Sequence, residues 1–308
     1  MADARTPILI GPTGVGKTAV ALALAAHWPI EVISADSRQV YRGLDIATAK
    51  PTPRELQRLT HHMIDCVSPG ERFSAGRFAL EAAEVIADIR ARGRLPMVVG
   101  GTGLYVKALV EGLFHEPPLD RPRRERLALF TATLDHPTLV RWASRLDRAY
   151  ALAGGRQRAT RAIEIALLTG RSLSWWQRSA EAQGVVRPWT VRLTVPRPVL
   201  HQRIRVRAEE MLRRGLLQEV AAALADGAPP EGPGMDGIGV REAVAVLLGK
   251  LPRAHLVESI VIATRQYAKR QETWFRHQVR GDVLTLDATR PPEELAAAII
   301  AAWELTSG

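Results

Sequence analysis

TPILIGPTGVGKT, residues 6–18, is where the architecture of this chain becomes legible. Its apolar half predicts a strand over Pro7–Ile10, and a helical pattern follows over Lys17–His27. Between them Gly11, Pro12, Thr13, Gly14, Val15, Gly16, Lys17 and Thr18 fit G-x-x-x-x-G-K-[ST] at every defined position. Glycines let the backbone wrap an anion, the first amides of the helix point at it, the Lys17 ammonium neutralises charge, and the Thr18 hydroxyl can ligate Mg²⁺. The pattern predicts a bound di- or triphosphate. It does not name a reaction.

Outward from this loop, short apolar runs alternate with helical patterns. Glu31–Ile33, His62–Asp65 and Pro96–Val99 predict further strands, while Pro53–Thr60 and Ser74–Arg92 predict helices, the latter stopped by Gly93. From Leu113 onward HEPPLDRPRR breaks the alternation, and arginine-rich helical sequence runs to about Gln183. Thr190–Val195 then alternates like a strand. Helices over Pro198–Arg214, Val240–Leu248, Arg253–Arg276 and Pro292–Leu305, with a last strand over Val283–Leu286, complete the chain. Gly215 is a helix stop, followed by the Gly/Pro-rich loop DGAPPEGPGMDGIG. The expected fold class is α/β: a P-loop NTPase-like parallel sheet flanked by helices, with an inserted helical domain. Residues 1–113 and 189–308 form the core with its C-terminal helices, and 114–188 form an arginine-rich insertion.

The 308 residues, 46% hydrophobic and 24% charged, exclude wholesale disorder and allow a full core. The longest apolar stretch, Leu295–Trp303, is too short to span a bilayer, and the N-terminus lacks the pattern of a signal peptide. Cys66 is the only cysteine, which rules out an internal disulfide or a cysteine zinc site. A monomeric cytoplasmic enzyme with no membrane attachment is expected. The net charge of +10 is unevenly placed: residues 1–118 carry 13 basic and 12 acidic side chains, 119–220 carry 20 and 9, and 221–308 carry 9 and 11. A surplus confined to the middle third reads as an electrostatic footprint for a polyanion.

Two more strand ends carry chemistry. ISADSRQVYR places Asp36 at the carboxyl end of the second strand, where ligands of open parallel sheets gather. A metal-holding aspartate, a general base and a residue capping the following turn all fit that position. VVGGTGLY, residues 98–105, ends another strand in Gly-Gly-Thr and leaves the Thr102 hydroxyl at the same rim; a purely structural turn has the same look.

Taken together, GPTGVGKT, ISADSRQVYRGLDIATAKP, HHMID, FSAGRF, VVGGTGLY, RATRAIE and TRQYAKRQETWFR closely resemble the bacterial tRNA dimethylallyltransferases, the IPP transferase family, from about Pro7 to Arg276. The resemblance implies transfer of a dimethylallyl group from dimethylallyl diphosphate to the N6 amine of the adenosine 3′-adjacent to the anticodon in tRNA. It implies that Gly11–Thr18 holds the diphosphate, with Lys17 and Mg²⁺ on Thr18 stabilising the leaving group and Arg207 nearby. By the same resemblance Asp36 is the base at the amine, Thr102 lies close to both substrates, and Ser37, Arg38 and Gln39 lie beside the target nucleotide. Gln39 suits an adenine edge, and that base must be flipped out of its stack. Arg124, the run Thr160, Arg161, Ala162, Ile163 and Glu164, and Gly239 with Arg241 match segments that contact the anticodon stem-loop.

Arg203 and Arg207 share a helix face at i, i+4, which also suits a solvated basic face. Arg265, Lys269 and Arg276 are placed to follow an RNA backbone, and Trp274 reads as core. The chain departs from the family pattern at Ala47, where glycine is usual, at Val240, where tyrosine is usual, and at Gly154 and Gly155, which replace an Asn-Asp pair. The C-terminal zinc finger of eukaryotic members is absent.

Two other activities share the loop and Asp36. An adenylate isopentenyltransferase, making cytokinin from a free nucleotide, has little use for a basic middle third. A P-loop ATP-dependent kinase or nucleic-acid remodeller would use Asp36 to hold metal. A pure RNA-binding module would leave the loop idle.

Overall fold

The computed structural model describes residues 5–113, 119–150, 155–179, 184–279 and 281–307. The chain forms two compact units, one of residues 1–110 with 184–308 and one of residues 111–183. The expected boundary at residue 114, in HEPP, and the end of the helical stretch at 180–183 lie outside the described residues.

The first unit contains β1 (Thr6–Ile10), α1 (Lys17–Leu24), β2 (Ile30–Ala35), α2 (Asp45–Thr48), α3 (Pro53–Arg58), β3 (His61–His62), α4 (Ala75–Ala91), β4 (Leu95–Gly100) and α5 (Gly103–Val110). The second unit contains α6 (Arg121–Ala132), α7 (His136–Leu146), α8 (Arg156–Thr169) and α9 (Leu173–Ser179). The chain then returns to the first through β5 (Pro188–Thr194), α10 (Arg197–Arg213), α11 (Leu216–Ala225), α12 (Val240–Leu247), α13 (Leu256–Gln278), β6 (Val283–Asp287) and α14 (Pro292–Ser307). The six strands form one sheet in the order β3-β2-β4-β1-β5-β6, and every pairing is parallel.

β1 and β2 are buried at every position, which requires cover on both faces of the sheet and explains the unbroken apolar run Pro7–Ile10 of β1. Ile8 stands opposite Val98 of β4 on one side and Thr190 of β5 on the other. The chain runs from β1 out to β2 and β3, returns as β4 between β2 and β1, and then crosses to the far side of β1. Strand order therefore reverses at β1, and the crevice outside the carboxyl ends of β2, β4 and β1 is where such sheets bind ligands.

The structure shortens the third expected strand. β3 ends at His62 because Met63 (φ 62°) and Asp65 (φ 55°) adopt left-handed backbone. That turn brings Asp65 to Lys50, whose nearly buried ammonium pairs with Asp45 at 2.7 Å and Asp65 at 2.5 Å and donates to the Tyr41 carbonyl at 2.6 Å. The segment after Asp36 is thus tied to the loop after β3. Gly215 (φ 100°) ends α10 but does not end helical structure: α11 follows at once, and its Glu219 caps α2 by accepting the N–H groups of Asp45, Ile46 and Ala47 at 2.7–2.9 Å.

At the other end of β2, Glu31 is 4% exposed, accepts from Arg92 at 2.5 and 2.8 Å and from His62 at 2.7 Å, and forms an ion pair with Arg94 at 2.8 Å. The Arg92 hydrogen bonds lower its pKa to about 2, against the opposing effect of burial. An unfolded chain protonates this carboxyl near 4.5, so its stabilising contribution is complete above that pH and is lost as pH falls towards about 2. Because the arginines are half exposed, the contribution is about 2 kcal/mol. Glu31→Gln is expected to lower stability by about that amount at neutral pH and to flatten its decline between pH 4.5 and 2. Urea unfolding across that range checks it, and an acid limb as steep as that of the wild type refutes it.

The second unit packs Leu139, Ala143, Ala159, Ala162, Ile163, Ile165 and Leu173 into its own core. Asp120 and Asp135 begin α6 and α7 by accepting the N–H groups of Arg123 at 2.7 Å and Thr138 at 2.8 Å.

Candidate active site

Glycine is required around the loop for specific reasons. A Cβ on Gly11 would lie 2.8 Å from the Leu193 carbonyl oxygen, while Gly14 (φ 82°) and Gly16 (φ 104°) are left-handed. The backbone N–H groups of Gly14, Gly16, Lys17 and Thr18 find no acceptor among the described residues, nor does the Thr18 hydroxyl. With the amino end of α1 they form an anion nest. Pro12 has no N–H, and Val15 spends its N–H on the Pro12 carbonyl at 3.3 Å, so these two shape the loop and offer it no amide. Lys17 Nζ folds onto the Gly11 and Pro12 carbonyls at 2.8 and 2.9 Å.

Asp36 follows β2, and its two oxygens are used differently. Oδ1 accepts the Arg38 N–H at 2.9 Å, while Oδ2 makes no hydrogen bond among the described residues. The residue therefore caps a turn and also presents a free carboxylate oxygen. The turn after β4 meets it: Thr102 N–H donates to the Ala35 carbonyl at 3.1 Å, and the Ser37 N–H donates to Thr102 Oγ1 at 3.0 Å. Three neighbouring strand ends thus bring Gly11–Thr18, Asp36–Ser37 and Thr102 together.

The cations respond to this carboxylate. Burial lowers the Lys17 pKa to about 8, with Asp36 working against that fall and Arg207 adding to it. Burial likewise lowers Arg207, and again Asp36 opposes. Lys17, Asp36 and Arg207 therefore share one electrostatic environment. Arg203, one turn before Arg207, donates to the Val15 carbonyl at 3.0 Å and the Ala288 carbonyl at 2.9 Å, holding the loop from outside. The pair is not a solvated basic face.

The other expected residues are placed less uniformly. Arg38 pairs with Asp236 and donates to the Pro233 carbonyl at 3.0 Å. Gln39 accepts from the Ser34 hydroxyl at 2.9 Å and donates to the Ala49 carbonyl at 3.2 Å, so its amide already serves the chain itself. Gly239 (φ 94°) begins α12 and donates its N–H to Glu242 at 2.7 Å; the same carboxylate accepts from the exposed Arg241 at 2.7 Å. In the second unit Arg124 and Arg161 converge on Glu164, Arg161 at 2.8 Å, with Thr160 partly exposed nearby. Ala162 and Ile163 are corrections: both are fully buried in that unit's core, and their side chains cannot touch RNA. Gly154 lies outside the described residues.

α13 supplies two residues to which the sequence reading gave no role, Tyr267 and Gln271, beside Trp274, which it read as core. The three share one face at i, i+4 and i+7 and all meet the turn after β4. Tyr267 lies beside Thr102 and Asp36, and burial raises its pKa, with the nearby Asp36 charge adding to the rise. Gln271 contacts Gly101, where a Cβ would lie 2.3 Å from its Nε2, and Trp274 fills the space a Cβ on Gly103 would need, at 2.2 Å. The available signal was a polar Gln271 on the stripe shared with buried Ala268 and Phe275.

The sequence profile described as IPP transferase matches residues 39–278. The chain belongs to the IPP transferase family. It is 41% identical to the tRNA dimethylallyltransferase of Koribacter versatilis over 90% of this chain and 92% of that one. It is 44% identical to tRNA dimethylallyltransferase 1 of Syntrophotalea carbinolica over 89% of each. Among solved structures it resembles the tRNA isopentenylpyrophosphate transferase of Bacillus halodurans, with a TM-score of 0.71, 33% identity and 98% of both chains covered. A eukaryotic dimethylallyltransferase acting on tRNA superposes with a TM-score of 0.80 at 29% identity, covering 98% of this chain and 79% of the other. The P-loop NTPase-like sheet and the transferase character of this chain are thus those of its family.

Proposed function

We propose that this IPP transferase family member prenylates tRNA, moving a dimethylallyl group from dimethylallyl diphosphate to the N6 amine of the adenosine 3′-adjacent to the anticodon. The observation that carries the reading is the meeting of the anion nest at Gly14–Thr18, the free Oδ2 of Asp36 and the Thr102 hydroxyl at three adjacent strand ends. The N6 lone pair forms a bond to C1 of the donor while the C1–O bond breaks, and that electron pair leaves on the diphosphate. The proton released by the alkylated amine goes to Asp36 Oδ2. Lys17, Arg207 and the loop amides stabilise the charge that grows on the leaving group. An adenine amine is a weak nucleophile, and placing it against C1 supplies much of the rate. Ser37 and Thr102 hold the turn that positions Asp36, and Gln39 acts through Ser34 and Ala49 rather than on the base.

Mg²⁺ fits the residues present. Thr18 offers one unengaged hydroxyl oxygen beside the nest, which suits a small cation that takes its remaining ligands from phosphate oxygens and water. No cluster of three or more His, Cys, Asp or Glu suited to a metal occurs among the described residues. When bound, Mg²⁺ neutralises diphosphate charge. A cleft of about 630 Å³ along Gly14, Gly16, Val206, Arg207, Met211 and Leu295, apolar with a cationic end, gives the donor its approach.

Positive charge supports tRNA over a free nucleotide. Residues 111–183 carry 12 basic and 8 acidic side chains, and 184–220 carry 8 and 3, so the surplus belongs to both units. Beside Gly11 and Pro12 a cavity of about 260 Å³ is lined by Arg192, Arg197 and Arg276, none of which has an ion pair among the described residues, together with one carboxylate, Glu272. We propose a cytoplasmic location and a monomeric state; all three strand ends of the site come from one chain, so no second copy is needed to complete it. No helix among the described residues is long and apolar enough to cross a membrane.

Incubation with labelled dimethylallyl diphosphate, Mg²⁺ and either unmodified tRNA or AMP tests the reading. Label in tRNA is expected. Label in AMP alone would make the chain an adenylate isopentenyltransferase, and ATP hydrolysis without transfer would make it a P-loop ATPase.

A further inference from the structure

One side chain joins the two halves of the site. Gln271, 6% exposed on α13, accepts the Thr13 N–H on Oε1 at 2.9 Å and donates from Nε2 to the Gly101 carbonyl at 2.7 Å. Thr13 belongs to the diphosphate loop, and Gly101 precedes Thr102. From Gly101 the linkage continues through Thr102 Oγ1 to the Ser37 N–H at 3.0 Å, next to Asp36. A continuous path of short polar contacts therefore runs from the loop that holds the donor to the carboxylate that faces the acceptor.

The side-chain chemistry suits this position narrowly. One planar amide satisfies a buried donor and a buried acceptor at once, and its orientation is fixed because Thr13 supplies a hydrogen and Gly101 supplies a lone pair. An ionised glutamate would keep the Thr13 contact but set two acceptors against each other at Gly101. A methionine fills the volume and makes neither bond. Neighbouring packing leaves no slack: a Cβ on Gly100 would lie 2.1 Å from the Ala35 carbonyl oxygen, and Gly101 and Gly103 are closed off by Gln271 and Trp274. The turn cannot shift towards α13 or β2 to recover a lost bond.

We propose that Gln271 is a positioning residue for the transfer step, fixing the separation between the diphosphate loop and the Asp36–Thr102 turn so that the donor carbon and the acceptor amine meet at attack distance. The inference rests on the reading of the site as a tRNA prenyltransferase centre. Gln271 touches neither substrate in this arrangement. The loop amides left for phosphate, those of Gly14, Gly16, Lys17 and Thr18, do not include that of Thr13. Loss of Gln271 therefore leaves the anion nest in place and loosens its registration with the base.

The test compares Gln271→Glu and Gln271→Met with the wild type in single-turnover transfer of labelled dimethylallyl to unmodified tRNA. Affinities for inorganic diphosphate and for tRNA, and the thermal midpoint, are measured on the same preparations. The transfer rate is expected to fall about a hundredfold in both variants, since a misplacement of about 1 Å has that effect, while both affinities stay within about threefold. A transfer rate within about threefold of wild type in either folded variant overturns the inference. So does a rate loss matched by an equal loss of diphosphate or tRNA affinity, or failure of both variants to fold, because Gln271 would then be a packing element. No transfer by the wild-type chain overturns the reading of the site and this inference with it; transfer by wild type and variants alike overturns the inference alone.

Discussion

Asp36→Asn is expected to lower the transfer rate by about 10²–10⁴-fold, the range for removing a positioned general base. Asparagine is the informative replacement because the aspartate has two tasks. Oδ1 accepts the Arg38 N–H at 2.9 Å, and an asparagine oxygen does the same, so the turn survives. Oδ2 is replaced by an amide that points hydrogens at an amine needing an acceptor. Asp36→Ala removes the turn acceptor as well and is expected to add a stability loss of about 1 kcal/mol, typical of a lost cap. Because most of the proposed tRNA contacts lie elsewhere, tRNA affinity is expected to remain within about threefold of wild type in the asparagine variant. Single-turnover transfer with labelled donor, paired with filter binding of tRNA, separates the two effects. Normal turnover by Asp36→Asn would remove the base assignment, and a turnover loss that tracks lost tRNA affinity would reassign Asp36 to binding.

Aspartate at this position also shows what a sequence reveals. GPTGVGKT could be read completely because each of its constraints is local: left-handed glycines, a helix start and a lysine within reach of the same anion. The parallel sheet was legible for a similar reason, since strands buried on both faces leave unbroken apolar runs such as ILI and MVV. Asp36, Thr102 and Gly101 were legible as strand ends, yet their meeting depends on the order β2-β4-β1, which no local pattern encodes. Gln271 was missed because its partners, Thr13 and Gly101, are distant in sequence, and its only local mark is polarity on a buried stripe. β3 was read too long since Met63 and Asp65 carry side chains that do not advertise positive φ; tertiary pairing of Asp65 with Lys50 decides it. Ala162 and Ile163 were included in a contiguous RNA-contacting run, whereas helical periodicity turns those two inward and leaves Arg161 and Glu164 towards the outside.

Lys17 gives the second large effect, and its direction follows from burial. In the free protein its ammonium is held down to about pKa 8 by burial, with Asp36 opposing, and it rests on the Gly11 and Pro12 carbonyls. Relative to an unfolded lysine at 10.5, the folded chain binds fewer protons between about pH 8 and 10.5, so this group makes stability rise with pH in that window. A bound diphosphate places negative charge beside Nζ and raises its pKa, so binding above pH 8 must take up a proton. Below that pH Lys17 is charged with or without ligand, and affinity is flat. Above it, affinity is expected to fall about tenfold per pH unit until the pKa of the complex is reached. The donor's own last phosphate ionisation, at about 6, is complete by then. Calorimetry at pH 8.5 in two buffers of different ionisation enthalpy should register uptake of up to one proton by the wild type and none by Lys17→Met. The variant is also expected to lose about 10²–10³-fold in kcat/KM, as when one donor to a developing oxyanion is removed. Proton uptake that persists in Lys17→Met would place the titrating group elsewhere, and absence of uptake by the wild type would mean that the ammonium stays on its two carbonyls when the anion arrives. In the second case the loop would bind diphosphate through its amides alone, and charge on the leaving group would have to be met by Arg207.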